Sequence, residues 1–119
     1  MINIHGIDTE KGLSLYNDDE DIYFIALKSY VENTPSLLDK IRSVSQETLP
    51  AYAIGAHGIK GTSANIGALK LQETAATLEQ MAKEGKLSEI LDRNESFIKN
   101  VEKTIKGIKK WLKKNPSSN

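Results

Sequence analysis

The sequence predicts an all-α fold, an antiparallel four-helix bundle with a short extra N-terminal helix. Apolar residues recur at helical spacing through most of the chain, and no segment alternates as a strand does. Pro35, Pro50, Gly67 and Gly85 fall where those periodic runs begin and end. Four long amphipathic segments follow one another through short connections, which makes neighbours antiparallel.

The elements run as follows. Residues Asp8 to Tyr16 hold a short first helix with Leu13 and Tyr16 facing inward. The run Asp18-Asp19-Glu20-Asp21 then puts negative charge where a helix N-terminus favours it. Ile22, Ile25, Ala26 and Val31 give the following segment its near-helical apolar spacing. Thr34-Pro35 reads as an N-cap and first-turn proline that restarts or kinks a helix bearing Leu37, Leu38, Ile41 and Val44. Thr48 and Pro50 open the next helix, which Gly67 ends. Leu71, Ala75, Leu78 and Ala82 mark another, with Met81 as core filler and Gly85 as its stop. The last helix starts near Ser88 and bears Leu91, Phe97, Ile98, Val101, Ile105, Ile108 and Leu112, with Trp111 in phase as a core anchor. Residues 1–114 form a single domain in this reading, and residues 115–119 a disordered tail.

Composition narrows the function. The chain has 119 residues, of which 39% are hydrophobic and 27% charged, as suits one small domain. Sixteen basic residues balance sixteen acidic ones, so net charge exerts no pull toward nucleic acid or membrane. There is no cysteine, which excludes disulfides and thiolate metal sites and fits the cytoplasm. Met1 to Gly12 has neither a basic start nor a continuous apolar run, so no signal peptide is expected. No stretch approaches the roughly 20 apolar residues of a membrane helix. The final helix bears Lys99, Lys103, Lys106, Lys109, Lys110, Lys113 and Lys114. Without interleaved aromatic residues these read as a solvated face with favourable charge at a helix C-terminus.

The informative segment runs from Tyr52 to Gly67. At about 100° per residue, His57, Lys60, Gly61 and Ala64 share one stripe, joined upstream by Ala53 and Ile54. Gly55, Ile59, Thr62 and Ile66 share the opposite, more apolar stripe, flanked by Tyr52, Ala56 and Ser63. The second stripe belongs to the core, so His57 points outward with Lys60 one turn along. Gly55, Gly58 and Gly61 together cost a helix about 2 kcal/mol against alanine, so local stability does not explain them. Gly55 lets a neighbouring helix approach. Gly61, on the outer face, clears space for another protein. Ile54, beside the His57 stripe, suits an apolar docking patch. His5 has no such setting and reads as an ordinary surface residue.

A neutral imidazole nitrogen is a competent nucleophile near neutral pH, provided something fixes the proton on the other nitrogen. Phosphoryl transfer needs positioning and charge neutralisation above all, and Lys60 is placed to offer a compact ammonium to phosphoryl oxygens. In the sequence no carboxylate flanks His57, no Gly-rich phosphate loop appears and no metal-binding cluster is visible. The chain is therefore expected to hold a phosphoryl group without taking one from ATP.

The segment Ala56-His57-Gly58-Ile59-Lys60-Gly61-Thr62-Ser63-Ala64-Asn65-Ile66-Gly67 resembles the signature of histidine-containing phosphotransfer domains, the Hpt family of two-component phosphorelays. That pattern is His-x-Leu/Ile-Lys-Gly-Ser/Thr-Ser/Ala, two residues, an aliphatic residue and Gly. Gly12-Leu13, the acidic run into Tyr23, Thr34-Pro35-Ser36-Leu37-Leu38 and Leu78-Glu79 are also similar to family landmarks, so the likeness covers residues 8 to 112. Gly58 departs from it, since the family more often has Thr or Ser there. The resemblance implies a phosphorelay intermediate that is a cytoplasmic monomer without a cofactor of its own. His57 would be phosphorylated, Lys60 would support it and Gly61 would leave room for a receiver domain. Gly61, Ala64, Ala53 and Ile54 are the expected docking residues. The receiver, of a response regulator or hybrid sensor kinase, would supply the phospho-aspartate and the magnesium ion.

Two other readings compete. One is the phosphoacceptor domain of a histidine kinase, of hybrid or chemotaxis type. Dimerising kinase domains typically have an acidic residue straight after the histidine and a proline a few positions on. Here Gly58 follows, and no proline lies between Pro50 and Pro116. The other is a helical interaction module whose lysine-rich helix binds an acidic partner or nucleic acid.

Overall fold

The computed structural model describes residues 2–116. Met1 and the last three residues of the expected tail, Ser117 to Asn119, lie outside the described residues. The elements are α1 (Thr9–Ser14), α2 (Glu20–Asp39), α3 (Leu49–Ala64), α4 (Leu69–Lys83) and α5 (Leu87–Lys114), with no strand among the described residues. Contacts of α2 with α3, α3 with α4, α4 with α5 and α5 with α2 close a ring of four, and α1 leans on α2. The α3–α4 contact is the most extensive. No helix is long and apolar enough to cross a membrane, among the described residues.

The first two helices start at acidic residues. The Asp8 side chain accepts from Lys11 N to open α1, and Asp19 accepts from Ile22 N to open α2, with Glu20 and Asp21 in its first turn. Leu49 begins α3 with Pro50 in the first turn, but the Thr48 hydroxyl accepts from Ser45 N instead of capping the helix. Gly67 and Gly85, at φ +82° and +72°, turn the chain after α3 and α4 in a region other residues adopt at a cost.

The core consists of Tyr23, Leu27, Tyr30 and Leu38 from α2, Tyr52, Ala56 and Ile59 from α3, Leu71, Ala75 and Leu78 from α4, and Ile90, Phe97, Val101 and Ile108 from α5. Ile2 and Ile4 close one side of it. On α4 the expected apolar stripe is the buried one, Met81 included. Trp111 packs edge-on against Phe24 with ring centroids 5.1 Å apart. The seven lysines from Lys99 to Lys114 are exposed, and so is His5.

Three expectations are corrected. On α2 the inward face is Tyr23-Leu27-Tyr30-Thr34-Leu38, and Ile22 and Ile25 are exposed. The tyrosines bury their rings while their hydroxyls meet polar atoms of α3 or the turn after it, which hydropathy alone undervalues. Second, Thr34-Pro35 starts no new helix. Pro35 lies inside α2, which continues to Asp39, and the Thr34 hydroxyl is buried without a partner. The restart signal fails because the proline falls in the last turns, where losing one backbone bond is offset by the packing of Leu38 behind it. Ile41, expected on that helix, is buried in the connection beyond it. Third, at the start of α5 Ile90 is buried and Leu91 exposed, one residue out of the expected phase.

Asn94 ties α5 to two neighbours: its Oδ1 accepts from the buried Tyr52 hydroxyl at 2.7 Å, and its amide donates to Ile41 O at 2.7 Å. Asn94→Ala leaves both groups unpaired in the core and is expected to destabilise the fold by about 2–4 kcal/mol. Urea unfolding checks this, and a loss of only a few tenths would contradict the role given to Asn94.

Candidate functional site

Small residues bring α3 close to its neighbour. A methyl group on Gly55 would stand 2.8 Å from Ile41 Cγ2 and 2.9 Å from Lys40 Cβ. One on Gly58 would stand 2.6 Å from Leu37 Cδ2. Gly55 therefore admits the end of α2 as expected, and Gly58 seats Leu37. A methyl on Gly61 meets nothing within 4 Å. Two of the three glycines serve internal packing, and the third leaves an opening to solvent.

The outward stripe is as expected. The His57 side chain is 66% exposed and Lys60 is half-buried. Gly61 and Ile54 are exposed, and Ala53 and Ala64 are half-buried along the same side of α3.

What the chain neighbours of His57 lack, α4 provides. Glu79 Oε2 lies 3.0 Å from His57 Nδ1, although no carboxylate flanks the histidine in sequence. A carboxylate only accepts, so Nδ1 bears the proton and Nε2 keeps its lone pair. Glu79 thus fixes the tautomer. Lys60 Nζ lies 2.9 Å from Glu79 Oε1, and Lys83 Nζ lies 3.1 Å from Oε2. The Glu79 side chain is only 8% exposed. Burial pushes its carboxyl up, but hydrogen bonds from Lys60, Lys83 and His57 outweigh this and hold it at about 2.

This arrangement is a solvent-facing imidazole with a fixed tautomer, a free nitrogen and an ammonium beside it, suited to nucleophilic attack on an electrophile brought by another molecule. A model of the Hpt domain matches residues 26–111. The chain belongs to the Hpt domain family. The crystal structure of histidine-containing phosphotransfer protein B (HptB) from Pseudomonas aeruginosa PAO1 is similar to this Hpt domain, with TM-score 0.71 and 25% identity over 95% of this chain and 96% of that one. No curated protein sequence matches this Hpt domain. Family membership gives the chain a histidine phosphotransfer role in phosphorelay signalling.

Sequence reasoning placed His57, Lys60 and Gly61 of this Hpt domain but gave Glu79 no role and missed Lys83. One signal was available. Glu79 follows Leu78 and lies four residues after Ala75, at the edge of the apolar stripe of α4. A carboxylate on a core-facing stripe calls for cations across the interface.

The lowered carboxyl fixes a pH dependence. Glu79 binds its proton more weakly folded than unfolded, so its ion pairs stabilise the domain above the ordinary value of 4.5 and are lost as pH falls toward about 2. Glu79→Gln is expected to flatten the acid limb of stability in that window. Urea midpoints measured across it check this, and parallel curves for the two proteins would refute it.

Proposed function

We propose that the domain is a phosphorelay intermediate in which His57 accepts a phosphoryl group from the phospho-aspartate of a receiver domain and passes it to the aspartate of another. The observation that supports this best is the ring itself, 66% exposed and held at Nδ1 by Glu79 at 3.0 Å, which leaves Nε2 to react. The Nε2 lone pair attacks phosphorus. The P–N bond forms as the bond from phosphorus to the aspartyl oxygen breaks, and the aspartate leaves as a carboxylate. The ring keeps its Nδ1 proton and gains positive charge, which faces Glu79. Transfer onward reverses these steps. Lys60 neutralises phosphoryl oxygens. Magnesium belongs to the receiver in this reading, where it offsets charge on the same oxygens, and this chain brings no cofactor.

The docking face follows the same stripe. Ala53, Ile54, Gly61 and Ala64 border the imidazole on α3. Ile22 and Ile25 of α2 extend it, lining a groove with Thr62 of α3 and Asn65 just after it. An apolar, small-residue surface around one reactive nitrogen suits a transient partner that must align before it reacts. One chain supplies all four bundle helices, which favours a monomer over a dimerising kinase domain. The reading places the domain in the cytoplasm and involves neither nucleic acid nor membrane.

Incubation with a phosphorylated receiver domain is expected to put acid-labile, alkali-stable label on the protein, and His57→Gln to abolish it. Label that survives this substitution would refute the assignment. Gly61→Gln is expected to slow transfer by about tenfold or more, because the reacting atoms no longer align. Its thermal stability should be equal to the parent or higher by up to about 1 kcal/mol, since a helical glycine is replaced in open space. Unimpaired transfer in Gly61→Gln would remove Gly61 from the docking face.

A further inference from the structure

We propose that Lys83 is a positioning residue of the phosphotransfer site, a second counter-ion for Glu79 that lets Lys60 leave the carboxylate for the arriving phosphoryl group. This rests on the reading of His57 as phosphoacceptor.

The resting site has one anion and two ammonium groups. Glu79 Oε1 is taken by Lys60 at 2.9 Å, and Oε2 is shared by Lys83 at 3.1 Å and His57 Nδ1 at 3.0 Å. Lys60 belongs to the helix and stripe of His57, and Lys83 to the helix of Glu79, four residues on. When a phosphoryl group reaches Nε2 a second anion appears beside the first. With Lys60 alone, two anions would compete for one ammonium. Glu79 is nearly buried, and a buried carboxylate that loses its cation is strongly disfavoured. Lys60 would then stay where it is, and the phosphoryl oxygens would lack their charge partner.

Lys83 removes the competition. It keeps a full positive charge on Oε2 while Oε1 is released, and the ring N–H, which becomes more acidic as the P–N bond forms, strengthens its own hold on that oxygen. An i,i+4 pair with a 59% exposed lysine contributes little when both partners are solvated. Here one partner is 8% exposed, so the pair acts on a charge that water does not screen well. The consequence is kinetic: Lys83 matters when Lys60 moves and contributes little to holding the partner.

The test compares the full chain with Lys83→Met and Lys83→Arg, reading receiver affinity and the transfer rate at saturating receiver separately. Lys83→Met is expected to lower the saturated rate by about five- to tenfold with Kd unchanged within about twofold, and Lys83→Arg to restore it. A second readout is the Lys60 Nζ resonance by 15N NMR after phosphorylation with phosphoramidate. It should shift on phosphorylation in the parent and in Lys83→Arg but not in Lys83→Met. A parental saturated rate in Lys83→Met overturns the proposal, as does weakened Kd with an unchanged rate, which would make Lys83 a docking residue. The two readings fail separately. Label that persists in His57→Gln rejects the phosphoacceptor, whereas label lost there with parental transfer in Lys83→Met rejects the counter-ion role alone.

Discussion

A carboxylate with 8% of its side chain exposed is tolerated only where cations and donors meet it, and around Glu79 that demand ties α3 to α4. Its three partners come from both helices. His57 and Lys60 stand one turn apart on α3, and Lys83 stands one turn from Glu79 on α4. Because residues three and four apart share a helix face, contacts to both His57 and Lys60 fix the rotation of α3 as well as its height against α4. A slip by one residue would turn His57 and Lys60 away and leave Glu79 with Lys83 alone. The His57 ring is thus oriented by the same interaction that sets the packing of the two helices.

Beyond the burial of its apolar face, α3 is also restrained through its backbone. After its last residue the chain offers the carbonyls of Asn65 and Ile66, and the hydroxyls of Tyr16 and Tyr23 donate to them, each at 2.7 Å. Asp8 N donates to Gly67 O at 2.8 Å, so the start of α1 closes the same turn. Alongside, Gly55 and Gly58 let the end of α2 sit against the α3 backbone. Held at its end and its inner side, α3 needs no large side chain on its outer face. That freedom is what keeps the surface near the imidazole small and open at Gly61.

How far the sequence was legible depends on what decided each position. Where burial of aliphatic side chains decides, as with Leu71, Ala75, Leu78 and Ala82, periodicity gives the right face. The His57 stripe was legible for the same reason, because the apolar residues opposite it left one outward orientation. Where polar atoms decide, periodicity fails. On α2 the buried residues include Tyr23, Tyr30 and Thr34, less hydrophobic than the exposed Ile22 and Ile25. What selects the tyrosines is the Ile66 carbonyl for one hydroxyl and the neighbourhood of Ser63 for the other, and neither partner is close in sequence. Glu79 was hidden in the same way, since its meaning lies in three partners of which two are on another helix.

The exposure of the misread isoleucines has a physical cause. An isolated exposed apolar side chain needs none, but Ile22 and Ile25 line one groove with Thr62 and Asn65, the latter one turn beyond Gly61, and Ile54 stands on α3 one turn before His57. Local rules that fail together in one region mark sites where something other than folding chose the residue. Burying these isoleucines would have been cheap for a helix free to rotate, but the tyrosine hydroxyls fix α2 in the rotation that leaves them in water. The fold therefore spends its polar contacts on keeping an apolar surface exposed near a nucleophilic nitrogen. In the proposed phosphotransfer reading, that is the arrangement a carrier needs if its partner is to bind briefly, align one phosphorus atom and leave.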